Sequence, residues 1–310
     1  MLQFMKKKVN TLILILIHYI QGNEKLIKMI EYTRGLYRYP NKMLGRNLQT
    51  VLNHHTDVLV FAAHPDDDIL GVGTTLYRHS LKNEEIRVVF ITNGTGRGGE
   101  SWHISANESK KKSEIRYREA IRALSLINIP EENILSLGYP DGGTQRYLKK
   151  VSADILRLIQ KFNPERIYVH CIEGGHRDHD LTSFVVKSLC NKIGFTNVFE
   201  WTEYNPIQPL GTQDVKFLPT HPTRLKEITI EISEEERSLK RKMLASHQSQ
   251  DVEQFFLQGE AIRPANTSQI ELELYKHCQI PMRTLHPLVN DFNKSLTILQ
   301  KKPNAQIKIV

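Results

Sequence analysis

Two short segments of this chain have residue types and spacings that could do chemistry: His64-Pro65-Asp66-Asp67-Asp68 and Gly174-Gly175-His176-Arg177-Asp178-His179-Asp180. The first packs one imidazole and three carboxylates into five residues. Their mutual repulsion is costly unless a cation offsets it, and Pro65 fixes the backbone between His64 and Asp66. Preference for a helix N-terminus accounts for one or two of the acids, Asp68 among them, but not for the histidine. The second segment brings two imidazoles within reach of one centre, with Asp178 between them as an orienting carboxylate. Its glycines permit a tight turn and close approach of a substrate. Together the segments offer a His/Asp/His donor set with an open position, the make-up of a catalytic zinc site rather than a closed structural one.

Both segments need elements to position them, and each follows a strand-like run. Residues 57–62, 87–92, 133–137, 166–170 and 197–201 read as short β-rich runs, and 224–232 alternates as a later strand. Helical patterns cover 69–81, 108–127, 151–162, 181–192 and 234–247, with Ile115, Ala120, Ala123, Leu124 and Ile127 expected on the inward face of the second. Apolar strands alternating with crossover helices predict an α/β fold: a Rossmann-like, mostly parallel sheet with helices on both faces and the metal site at the strands' carboxyl ends. The expected organisation is a helical extension over 1–50, a catalytic domain over 51–255, and a C-terminal extension over 256–310 packed on it. Residues 205–222, rich in proline, glycine and polar residues, read as a loop.

The 310 residues are 40% hydrophobic and 25% charged, which fits a folded domain with a substantial core. The net charge of +8 suits an acidic or phosphorylated ligand but equally a basic surface with no special partner. No basic block is interleaved with aromatics, so a nucleic-acid partner is not expected. Three cysteines without CxxC spacing predict neither a disulfide framework nor a thiolate zinc site. Lys6 to Lys8 followed by the apolar run Leu12 to Ile17 imitates a signal peptide, but the run lacks a cleavage site. It is also shorter than the roughly 20 residues that span a bilayer. The expectation is a cytoplasmic protein without a firm membrane anchor. Gly94-x-Gly96-x-x-Gly99 formally matches a dinucleotide fingerprint, yet it follows the second strand and no helix opens directly after it.

Ordered along the chain, AHPDDD, TNGTGRGG, Arg116-x-x-Glu119, LGYPDG (137–142), GGHRDHD and His247-x-Ser249-Gln250 resemble the LmbE-like or PIG-L deacetylases over roughly residues 58–250. The resemblance implies a zinc-dependent enzyme that removes acetyl groups from N-acetylglucosamine-type sugars. His64, Asp67 and His179 would hold the metal, zinc or alternatively Fe2+ or Co2+. Asp66 would be the general base. His176 would be the protonated partner of the tetrahedral intermediate, with Asp178 holding its ring. Arg116 and Asp141 match family positions near the substrate. Arg97, in the glycine loop, is expected to border the sugar pocket with Trp102 and His103. The expected substrate is a small sugar, free, phosphorylated or conjugated. An amidase acting on a different small amide and a non-catalytic carbohydrate-binding protein are the alternatives. Asp68 stands where the family has glutamate, and Asn128 where it commonly has glycine.

Overall fold

The computed structural model describes residues 11, 19–20, 23–48, 55–96, 103–218 and 226–300. Helix α1 (Glu24–Thr33) precedes an alternating run: β1 (Val58–Ala62), α2 (Asp67–Ser80), β2 (Ile86–Thr92), α3 (Ala106–Ser125), β3 (Ile134–Tyr139), α4 (Thr144–Phe162), β4 (Arg166–His170), α5 (Arg177–Ile193) and β5 (Val198–Thr202). Then come β6 (Ile228–Ile230), α6 (Glu234–Ala245), β7 (Glu260–Pro264), α7 (Ile270–His277) and α8 (Met282–Gln300). The seven strands form one sheet in the order β3-β2-β1-β4-β5-β7-β6. Strands β1 to β5 are parallel, and β7 runs antiparallel to both β5 and β6.

The parallel strands are buried on both faces, as their unbroken apolar runs predict. On β1, Leu59 and Phe61 join a core beneath α4, α5, α7 and α8, while Val58, Val60 and Ala62 face a second core under α2, α3 and α6. From β1 the chain builds outward through β2 and β3, then returns to β4 and builds the other way. The order therefore reverses between β1 and β4, and the crevice at such a switch point is where an open α/β sheet binds ligands.

Two expectations need correction. Ile115 is 38% exposed, whereas Ala120, Ala123, Leu124 and Ile127 are buried as expected. The inward face of α3 is given to Arg116 and Glu119, and one residue's 100° step from Arg116 turns Ile115 toward solvent. The sheet also continues past the expected boundary at residue 255, because β7 inserts between β5 and β6. Ile270, Leu274, Leu285, Val289 and Phe292 of the last two helices belong to the main core. The apolar run over residues 12–17 lies outside the described residues; no helix among the described ones is long and apolar enough to cross a membrane.

Candidate metal centre

The loops after β1 and β4 meet across the switch point, where the Ala63 backbone N–H donates to His170 Nε2 at 3.1 Å. The β1 loop turns sharply at Asp66, whose φ of 142° lies where residues with a side chain are seldom found. That turn folds Asp67 back on His64, and Asp67 Oδ2 accepts the His64 backbone N–H at 2.7 Å. The β4 loop relies on Gly175, where a Cβ would lie 2.0 Å from the Tyr204 carbonyl oxygen. Asp180 Oδ1 accepts the N–H groups of Glu173 and Gly174, which sets the start of α5 and the direction of His179.

Three donor atoms from these loops form a nearly equilateral triangle. His64 Nδ1 lies 3.1 Å from Asp67 Oδ2, His179 Nε2 lies 3.3 Å from Asp67 Oδ2, and the two ring nitrogens are 3.3 Å apart. Nitrogen and oxygen ligands at about 2.0–2.2 Å from one zinc in tetrahedral array stand about 3.3–3.6 Å from each other. All three residues are buried. Two other histidines lie within reach of the same centre, and hydrogen bonding separates them from the triangle. The Nε2 lone pair of His170 is occupied by Ala63, and the Nδ1 lone pair of His176 accepts the Asp178 N–H at 3.2 Å. By contrast, His64 Nε2 faces the carboxylates of Asp141 (3.1 Å) and Asp178 (3.3 Å), so its proton belongs there and its Nδ1 lone pair points to the triangle. The donor set fits a divalent cation of the zinc type.

The site's electrostatics follow from crowding charges out of water. Burial acts against the charge on His64, but Asp141 and Asp67 prevail and hold its pKa well above the ordinary value, so without a cation Nδ1 is protonated too, and an ion entering the triangle displaces that proton. Burial also raises Asp67, yet His179 and His64 keep it well below the usual carboxylate range. Asp66 goes the other way: burial pushes it up to about 6, with Arg116 opposing and Asp67 adding to the rise. His176 is pushed down to about 4 by burial and then by the charge on His64, and His170 to about 3 by burial and then His179. Asp68 is held uncharged near neutrality, its carboxyl pushed up to about 8 by burial and by Asp66 and Asp67, and neither of its oxygens has a hydrogen-bond partner. Asn128 adopts φ 61°, so asparagine serves the turn that glycine would.

The other expected site residues take more particular places. Arg116 donates to the Pro65 carbonyl at 2.6 Å and to Asp66 Oδ1 at 2.9 Å, so its guanidinium braces the candidate base. Asp141 uses Oδ1 on His64 and Oδ2 on the Gly96 N–H at 2.8 Å, tying the glycine loop to a candidate ligand. The carboxylate of Asp178 does not hold the His176 ring as expected; it sits on His64 and accepts the N–H groups of Gly142 and Thr144. Its backbone N–H is what orients His176. A protonated His176 is likewise disfavoured, and the neutral ring keeps its proton on Nε2. Arg97 and Trp102 lie outside the described residues.

A cavity of about 610 Å³ opens over the triangle, lined by His64, Asp66, Asp67, Arg116, Asp141 and His176 among others. Sequence reading missed His170, Glu203 and Tyr204. Tyr204 sets its ring edge-on to His179 at 5.3 Å, and Glu173 pins this loop by accepting from the Thr202 hydroxyl and the Glu203 N–H. The available signal was position: His170 ends β4 and Glu203 directly follows β5, at the carboxyl edge of the sheet.

Comparisons with known proteins bear on the fold that carries this arrangement. Residues 59–190 match the family model described as PIG-L: GlcNAc-PI de-N-acetylase. A 1D-myo-inositol 2-acetamido-2-deoxy-alpha-D-glucopyranoside deacetylase of Catenulispora acidiphila is 23% identical over 144 residues, 39% of this chain and 44% of that protein; the match thus spans less than half of the relative. Among solved structures, a zinc-inhibited form of teicoplanin deacetylase aligns with TM-score 0.54 at 18% identity, over 67% of this chain and 97% of that one. The A40926 pseudoaglycone deacetylase aligns with TM-score 0.53 at 19% identity, over 68% and 97%. Motifs, sheet order and family match converge on residues 59–190, the stretch of this chain that matches the PIG-L family model.

Proposed function

We propose that this protein is a metal-dependent deacetylase that hydrolyses the acetamide of an N-acetylglucosamine-type sugar or glycoconjugate. The observation that carries the reading is the triangle of His64 Nδ1, Asp67 Oδ2 and His179 Nε2, with the Asp66 carboxylate beside it but outside it. A divalent ion held by those donors, zinc or alternatively Fe2+ or Co2+, would supply Lewis acidity and bring the pKa of water to about 7. Asp66, near 6 and ionised at neutral pH, takes a proton as water attacks the acetamide carbon. The His176 Nε2–H donates to the carbonyl oxygen as that oxygen gains charge. Asp66 then returns its proton to the nitrogen as the C–N bond breaks, giving acetate and a free amine. Asp141 and Asp178 hold His64 in the tautomer this requires, and Arg116 keeps Asp66 aimed and ionised.

Acetate release from a panel of N-acetylated sugars tests the reading. The zinc-loaded protein releases acetate, a chelator abolishes release, and added zinc restores it; turnover by the chelated protein would overturn it. Arg116 offers a further check. Its charge lowers the Asp66 pKa, so Arg116→Met moves the acid limb of the kcat/KM profile to higher pH by about 1–3 units. An unmoved limb would remove Asp66 from the role of base.

A further inference from the structure

His170 is the last residue of β4 and is 2% exposed. Its ring stacks on His179 with centroids 4.0 Å apart and planes 20° apart, and its other side meets Trp201 at 4.3 Å. Nε2 accepts the Ala63 N–H, so a neutral ring carries its proton on Nδ1, which faces Glu203 Oε2 at 3.9 Å. The same Nε2 stands 3.3 Å from Asp67 Oδ2. With its lone pair already committed to Ala63, Nε2 cannot donate to that oxygen. The Ala63 bond holds Nε2 in contact with Asp67 Oδ2, which limits the room that carboxylate has to swing away from His64 and His179. The stacked ring also limits the tilt of His179 about its own side-chain bonds. One residue therefore restrains two of the three donors while leaving its own nitrogen unable to join them.

We propose that His170 is a positioning residue for the metal centre, fixing Asp67 and His179 through the Ala63 hydrogen bond and the ring stack without ligating the ion. This rests on the donor set of the deacetylase reading. Orienting partners of this kind commonly govern affinity by about 10–100-fold. Glutamine can place an amide oxygen where Nε2 stands and accept the Ala63 N–H; leucine fills the space without an acceptor.

The test is zinc affinity by chelator competition, with the visible absorption of the Co2+-loaded protein as a second readout. His170→Leu weakens zinc about 10–100-fold and alters the Co2+ spectrum, while His170→Gln, which restores the acceptor but not the stacked ring, loses distinctly less in both. Should His170→Leu fail to fold in the chelated state, His170→Met, of similar volume, takes its place. Unchanged affinity in the apolar variant, or an equal loss in His170→Gln, would overturn the proposal. Absence of zinc binding by the wild type would overturn it together with the donor set. Zinc binding without acetate release would sink the deacetylase reading alone.

Discussion

Replacing Asp66 with asparagine lowers acetate release about 10²–10⁴-fold while one zinc per chain remains bound. The size of the effect follows from general-base chemistry, since the amide cannot take the proton of the attacking water. Retention of the ion follows from geometry, because Asp66 Oδ1 is committed to Arg116 and lies outside the donor triangle. Asparagine is the right substitution here. Its amide oxygen can still accept from Arg116, and asparagine has the same shape as the aspartate that already takes this φ of 142°. Steady-state turnover alongside metal analysis reads both quantities on one sample. Full turnover by Asp66→Asn, or loss of the ion with it, contradicts the separation of base from ligands.

The second large effect is on stability. Lys187 is fully buried in α5, with Nζ 2.8 Å from Glu200 Oε2 and 2.7 Å from Glu273 Oε2, and Arg263 completes the cluster on Glu200 Oε1 at 2.8 Å. These four residues link the helix that begins at the His179 loop to β5, β7 and α7. Lys187→Met keeps the volume but removes the cation from two buried carboxylates, and it is expected to cost about 3–5 kcal/mol. Urea unfolding of the two proteins measures it. A loss below about 1 kcal/mol, the size typical of an exposed pair, would show that the cluster relaxes into contact with water.

How far the sequence could be read depends on where each signal lay. The β1 and β4 loops were legible because apolar strands run directly into clustered histidines and acids, and fold topology brings such strand ends together. The place of β7 was not legible. Glu260-Ala261-Ile262-Arg263-Pro264 looks unlike a strand, since its charges are spent on buried partners: Glu260 on Lys240 and on the Thr74 and Thr75 N–H groups, Arg263 on Glu200. The turn of α3 that exposes Ile115 has the same origin, an inward face given to Arg116 and Glu119. Glu119 accepts from both the backbone and the hydroxyl of Ser249, which joins α3 to the segment after α6. Within the site, residue types identified the donors, but only distances could reveal that Asp178 serves His64 and that Arg116 serves Asp66. Polar groups used inside the fold leave no period in the sequence; their partners are set by tertiary contact.

The central claim is the donor set, and anomalous diffraction at the zinc absorption edge from crystals grown with zinc tests it most directly. One strong peak is expected, bonded to His64 Nδ1, Asp67 Oδ2 and His179 Nε2, with His170 Nε2 still on the Ala63 N–H. A peak ligated by His170 or His176 in place of any of those three would contradict it.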